Sequence, residues 1–206
     1  MNDQIRRPRK GNNSRAFDRR VREGFYEKYI VGKKGIDIGC AKRAYSISSE
    51  VQLWDLKTNP GGDATYMDSI DGHEYDYVLA SHILEHLDDP KTAIKNWFRI
   101  LKTGGHLIVC VPERDLFELK KELPSDFSRH HKWYFKLDQE DPPVTLSLKK
   151  IIKSSLPKNA KIEYIKVCDE KWNPEVKERT PKMTALDWPQ GEFQIEAVIK
   201  KIKLRG

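Results

Sequence analysis

Four short apolar runs, GIDIG at 35–39, VQLWDL at 51–56, YDYVLAS at 75–81 and HLIVCVP at 106–112, constrain this chain more than any other feature. Each is too short for a core helix and rich in β-branched or aromatic residues, so each reads as a strand of a buried sheet. Between the last two lies the clearest helix, at 90–102. Asp89 caps it, Pro90 suits its first position, Ala93, Ile94, Trp97, Phe98 and Leu101 line one face, and Gly104 and Gly105 stop it. A second helix is expected at about 15–29, where Ala16, Phe17, Val21, Phe25, Tyr26 and Ile30 recur at near-helical spacing. IEYIKVC at 162–168 and FQIEAVIKK at 193–201 supply late strands, and the last follows a loop with Trp188, Pro189 and Gly191, as a return antiparallel to its neighbours would. Strands alternating with helices predict a doubly wound, mostly parallel α/β sheet, which binds ligands beyond the carboxyl ends of its strands.

A chain of 206 residues suits one domain. Its formal charge of +7 is uneven, with eight Arg/Lys against three Asp/Glu in residues 1–24. Residues 1–14 read as a basic, flexible, solvated arm and 15–206 as the domain. Cys40, Cys110 and Cys168 lack C-x-x-C spacing and fall in or beside apolar runs, which predicts reduced, buried thiols and a cytoplasmic location. No apolar run approaches the roughly 18 residues of a membrane span.

After the first strand the chain reads Gly35-Ile36-Asp37-Ile38-Gly39-Cys40-Ala41-Lys42-Arg43, a turn at which a glycine lets backbone approach a ligand and amides before a helix can face it. Asp55, near the end of the second strand, is spaced as a carboxylate that grips ribose hydroxyls. On these features alone a dinucleotide-binding domain fits equally well.

Four further motifs follow in order: Tyr75-Asp76-Tyr77-Val78-Leu79-Ala80-Ser81-His82-Ile83-Leu84-Glu85-His86-Leu87, Asp89-Pro90, Arg99-Ile100-Leu101-Lys102-Thr103-Gly104-Gly105, and Val111-Pro112. Across about residues 33–117 the chain closely resembles the type-11 branch of class I S-adenosylmethionine-dependent methyltransferases. The resemblance implies a single Rossmann-like, doubly wound, mostly parallel seven-stranded sheet with an antiparallel last strand. It implies S-adenosylmethionine as cofactor, with Asp37, Gly39 and Cys40 at its methionine part, Asp55 at the ribose, Asp63 and Ala64 at the adenine edge, and Ser81 and His82 beside the sulfonium. Only seven residues separate Asp55 from Asp63, so the adenine side is expected to be short and open. Proteins of this kind also pair as homodimers.

A hydroxyl acceptor gains from a base that takes its proton near neutral pH, and histidine is the natural candidate. His82 and His131 are the expected catalytic pair, one as general base and the other orienting the acceptor, while His86 reads as fixing its loop by hydrogen bonds. The run from Val111-Pro112 to His130-His131-Lys132-Trp133-Tyr134-Phe135 resembles a subset of the family associated with surface-glycan genes, which implies a sugar or glycan hydroxyl as acceptor. His130, Trp133 and Tyr134 would then bind substrate, the aromatics walling a pyranose ring; packing under a loop is their other reading.

His82-Ile83-Leu84-Glu85-His86 also matches the H-x-x-E-H pattern of zinc proteases, but a strand running straight into His82 is not the helix they need. Related quinone O-methyltransferases place metal ligands in this segment, and Glu85 with His86 offers an incomplete set, so no metal is expected. Nucleic acid is not the expected acceptor, because the Asp/Asn-Pro-Pro-aromatic motif of base methylation is replaced by Ser81-His82-Ile83-Leu84. Methylation of nucleic acid or another small molecule, and a cofactor-binding domain without catalysis, stay open as alternatives. Ala41 and Arg43, where the family carries further glycines, would suit the last.

Overall fold

The computed structural model describes residues 4–9, 11–57, 62–173 and 191–204. Its strands are β1 (Gly35–Ile38), β2 (Gln52–Trp54), β3 (Tyr75–Ser81), β4 (Leu101–Pro112), β5 (Tyr134–Lys136), β6 (Thr145–Ser147), β7 (Ala160–Cys168) and β8 (Gln194–Lys201). Six of them form one sheet in the order β2-β1-β3-β4-β8-β7, while β5 and β6 pair separately. The first four are parallel to one another and β8 runs antiparallel to both β4 and β7, as expected of a last strand. Seven strands were expected; six are found among the described residues. The described part of 55–74 holds turns instead of a helix and a further edge strand, in keeping with the short interval between Asp55 and Asp63.

Period-two alternation sorts the central strands onto two cores. Ile36, Ile38, Val78, Ala80, Leu107 and Val109 face α4 (Pro90–Arg99) and α6 (Leu148–Ser155), with Ile94, Trp97 and Ile151 between them. Tyr77, Leu79, Ile108, Cys110 and Val198 face Phe17, Phe25 and Tyr26 of the amino-terminal helices. Asp89 caps α4 as its sequence dictates, accepting from the backbone N–H groups of Lys91 and Thr92. The helix stops at Arg99, three residues early, because Leu101 is already paired with Tyr75; Gly104 and Gly105 lie inside β4.

Two expectations at the amino terminus fail. The single helix at 15–29 is three pieces, α1 (Asn12–Arg15), α2 (Phe17–Arg22) and α3 (Phe25–Tyr29), with a left-handed Gly24 before the last. The flexible arm is docked over its described part, 4–9. Ile5 is buried beside Ile47 and Val51 and bridges to Ser48, and the Arg6 and Arg9 amides donate to the carbonyls of Ile47 and Ala44. An apolar residue with a core to enter outweighs the charge around it.

Nor are the basic residues that follow all solvated. Arg19 and Arg20 are buried against β8 and the turn before it. Arg19 Nε donates to Glu192 Oε1 at 2.9 Å and its Nη2 to Glu196 Oε2 at 3.1 Å. Arg20, fully buried, donates from Nε to Glu196 Oε2 at 2.8 Å and from Nη1 to Asn13 Oδ1 at 2.9 Å. This clasp ties α1 and α2 to the middle of the sheet.

Candidate active site

The strand order reverses between β1 and β3, and a cavity of about 420 Å³ lies off their carboxyl ends. Asp37, Gly39, Cys40, Ser81 and His82 line it, so five of the residues expected around the reacting end of the cofactor are brought together. Gly39 stands at φ +80°, and a Cβ there would meet Ile83 Cβ at 2.8 Å, so both its conformation and its space demand glycine. The loop beyond is wide: instead of opening a helix it makes one 3-10 turn at Arg43–Tyr45, so no helix N-terminus faces the cavity there.

Asp37 is buried, and burial pushes its carboxyl up to about 6 although Ser46 and Cys40 beside it pull it down. Its Oδ2 has no hydrogen-bond partner. A desolvated carboxylate with an orphan oxygen on a cavity wall is primed for a cationic ligand group. Cys40 points its thiol at the Lys42 carbonyl, and all three cysteines are buried and free.

The opposite wall comes from α1. Gly11, Asn12, Asn13 and Arg15 complete the cavity, and none was legible as a site residue in the sequence. Asn13 is held from both sides, its Oδ1 accepting from Arg20 and from Ser81 Oγ at 3.2 Å. Arg15 stacks over Phe193 and donates to the Gly191 carbonyl at 3.3 Å.

Asp55 follows β2 directly, half-buried, and accepts from the Lys57 amide at 2.9 Å. It lies off the same sheet edge but not on the cavity wall. Asp63 Oδ1 accepts from the Thr65 and Tyr66 amides as a turn cap, and the Ala64 carbonyl accepts from Trp97 Nε1 at 2.7 Å. Asp63 and Ala64 thus anchor the loop to α4.

His82 ends β3 in the left-handed region, at φ +55°, a strained place for a histidine and one that clusters at functional sites. Gln194 Nε2 donates to Glu192, so its Oε1 faces His82 Nε2 at 3.0 Å. That fixes the tautomer: Nε2 carries the proton and Nδ1 is an acceptor, 3.6 Å from Glu85 Oε1. Burial pulls the imidazole down to about 3, so it is neutral. His86 donates from Nδ1 to the His130 carbonyl at 3.1 Å, and so does fix its loop.

His131 is not on the cavity wall. The Glu85 carbonyl accepts from the Lys132 and Trp133 amides and draws that segment in, leaving the His131 Nδ1 2.5 Å from Glu118 Oε1. Burial works against its charge, but the Glu118 hydrogen bond and the Glu85 and Glu118 carboxylates outweigh it and leave its pKa raised. Glu85 itself is 1% exposed, and burial pushes it up. Glu118 lacks any motif and was not foreseen.

The expected aromatic wall is absent. Tyr134 is buried and donates to the Glu122 carbonyl, while Trp133 donates from Nε1 to the Leu87 carbonyl and packs on the core. The structure selects packing under a loop for both, and of the expected substrate binders only His130 is exposed.

A methyltransferase-domain family model matches residues 9–141, well over half of the chain. The chain belongs to that methyltransferase family. It is a class I methyltransferase, and its cofactor is S-adenosylmethionine. Among solved structures, a methyltransferase from Thermotoga maritima described as a possible histamine N-methyltransferase shares the fold. Its TM-score is 0.52 at 16% identity, over 90% of this chain and 98% of that one. Another S-adenosylmethionine-dependent methyltransferase, from Archaeoglobus fulgidus, gives 0.52 at 19% identity over 91% and 95%. A curated relative, the ubiquinone biosynthesis O-methyltransferase of Proteus mirabilis, is 27% identical over 109 residues, 42% of this chain. The match spans 44% of that relative, so this methyltransferase aligns with less than half of its length.

The residues fit the cofactor. The orphan Asp37 Oδ2 suits an ammonium group, and the neutral walls at Ser81 and His82 suit a sulfonium. Among the described residues of this methyltransferase no helix is long and apolar enough to cross a membrane.

Proposed function

We propose that the chain is an O-methyltransferase whose acceptor is a hydroxyl of a sugar or glycan, with His82 as general base. The observation that carries this reading is a neutral imidazole, held in one tautomer by Gln194, on the wall of the cavity that Asp37 and Gly39 also line. When bound, S-adenosylmethionine supplies an electrophilic methyl group on a sulfonium. Asp37 and Asp55 hold the methionine and ribose parts, and Asn13 and Ser81 fix the wall against α1. His82 Nδ1 takes the acceptor's proton as oxygen attacks in line, while Gln194 keeps the ring in the tautomer that can do so. Behind it, His131 acts through Glu85 and orients rather than accepts, since it is paired with Glu118. His130, exposed at the rim, meets the acceptor.

The test is calorimetric titration of S-adenosylmethionine and S-adenosylhomocysteine, with Asp55→Ala beside the wild type, then transfer of labelled methyl to sugars and nucleotide sugars. Micromolar binding lost in Asp55→Ala, and a rate falling about 100- to 10,000-fold in His82→Ala with binding kept, are expected. Binding without transfer to any hydroxyl would favour a domain without catalysis. A second reading, a ubiquinone precursor as acceptor, is favoured by the names of the curated relatives. Transfer to such a precursor and not to sugars would select it.

A further inference from the structure

Glu85 sits among three imidazoles. His82 Nδ1 lies 3.6 Å from its Oε1, His86 Nε2 3.9 Å and His131 Nε2 4.0 Å. The second nitrogen of each ring is already committed: His82 Nε2 to Gln194, His86 Nδ1 to the His130 carbonyl, and His131 Nδ1 to Glu118. A carbonyl partner takes the N–H of its ring, so His82 and His86 each turn a lone pair, not a proton, toward the Glu85 carboxyl, and His131 Nε2 does so once its proton is released. Lone pairs converging on an anion repel one another unless a cation is shared between them. Two carboxylate oxygens of the cluster, Glu85 Oε2 and Glu118 Oε2, are also buried without hydrogen-bond partners.

We propose that Glu85, His86 and His131 bind a divalent transition-metal ion. Their donor atoms all lie within 4.8 Å of one another. Tetrahedral ligands about 2.1 Å from an ion stand about 3.4 Å apart, so closure draws the widest pair in by about 1.4 Å, a rotamer-scale shift. Glu118 behind His131 and the His130 carbonyl behind His86 are the outer partners that fix ligating imidazoles in the metal-binding tautomer. Two imidazoles and one carboxylate favour zinc, manganese or cobalt over magnesium or calcium. Three protein ligands leave a position open for water or a substrate oxygen.

The ion site stands on this geometry alone, whereas its role rests on the O-methyltransferase reading. There the ion lowers the pKa of the acceptor hydroxyl, and His82, which shares Glu85 from the cavity side, takes the proton.

Cobalt(II) titration of full-length protein stripped with chelator tests the site, read by visible absorption and by calorimetry with zinc and manganese. One ion per chain is expected, with affinity reduced at least tenfold in His86→Gln and His131→Gln, within the usual range of about 10–100 for such losses. Thermal melting and cofactor binding check that each variant folds. If the buried His131→Gln does not, the wild-type titration and His86→Gln, whose ring is 30% exposed, still decide. No uptake by the wild type, or uptake undiminished in the variants, overturns the proposal and leaves the cluster held by protons. Ion uptake without methyl transfer supports the site and counts against the acceptor reading; full methyl transfer by ion-free protein overturns the ion's role.

Discussion

Two buried charge clusters, one around Glu196 and one around Glu85, are built on opposite plans. In the clasp, Arg19 and Arg20 meet Glu192 and Glu196, and Tyr164 and Asn13 complete the hydrogen bonds. Burial opposes the charge on Glu196, but the two guanidiniums win and hold its carboxyl down at about 2. In the second cluster, Glu85 and Glu118 each leave an oxygen orphaned, and the surrounding rings offer lone pairs. Satisfied buried charge fixes structure; unsatisfied buried charge is retained where a ligand or proton completes it.

Removing one partner from the clasp should do the most damage. Glu196→Ala strands the buried Arg20 guanidinium and leaves Arg19 to Glu192 and Glu23, and is expected to cost about 3–5 kcal/mol in urea unfolding, with the cavity wall lost alongside; a cost under about 1 kcal/mol would show that the clasp does not hold the fold. Asp37→Asn should behave oppositely. Cofactor affinity should fall about tenfold to a hundredfold, as for loss of a charge-assisted hydrogen bond, with the thermal midpoint unchanged or raised because a desolvated carboxyl is relieved.

Acid separates the two regions by sign. The Asp37 pKa is raised to about 6, so its proton favours the folded state at low pH, and that contribution is lost as pH rises through about 6. A cationic ligand group prefers the carboxylate, so cofactor affinity should weaken up to about tenfold per unit as pH falls below 6 and stay flat above it. Glu196 is depressed, so its contribution is full above the ordinary value of 4.5 and is lost as pH falls toward about 2. Calorimetry and urea melts at stepped pH measure both; affinity that does not change from pH 5 to 7 would remove Asp37 from the cofactor site. Smallest of all, Lys34→Ala breaks the exposed pair with Glu74 and the cation–π contact with Tyr75 and should change stability by no more than about 1 kcal/mol.

What could be read in the sequence was what lies close along the chain. Asp37 and Gly39 belong to one turn, Ser81 and His82 to one strand end, and the capped helix after Asp89 to one amphipathic stretch, each set by local sterics or period. Asn13, Gln194 and Glu118 carry no such pattern. They reach the site because the amino-terminal helices fold over the sheet and because β8 inserts between β4 and β7, pairings decided by the whole core. Trp133 and Tyr134 show the same limit from the other side: aromatic residues beside histidines suggest a binding wall until the core claims them. Arg19 and Arg20 read as solvated only while their partners, more than 170 residues away, are out of view.

The position of β8 also bears on the order in which the molecule can be made. This strand leaves the ribosome after the other five of its sheet, yet it occupies an interior slot, and it carries the Glu196 that pairs with Arg19 and Arg20 and the Gln194 that sets the His82 ring. Until it arrives, β4 has an open edge and the amino-terminal helices have no counter-charge to settle against. Synthesis must therefore pass β8 before either the clasp or the His82–Gln194 contact exists, and a nascent chain stalled short of residue 192 would hold neither.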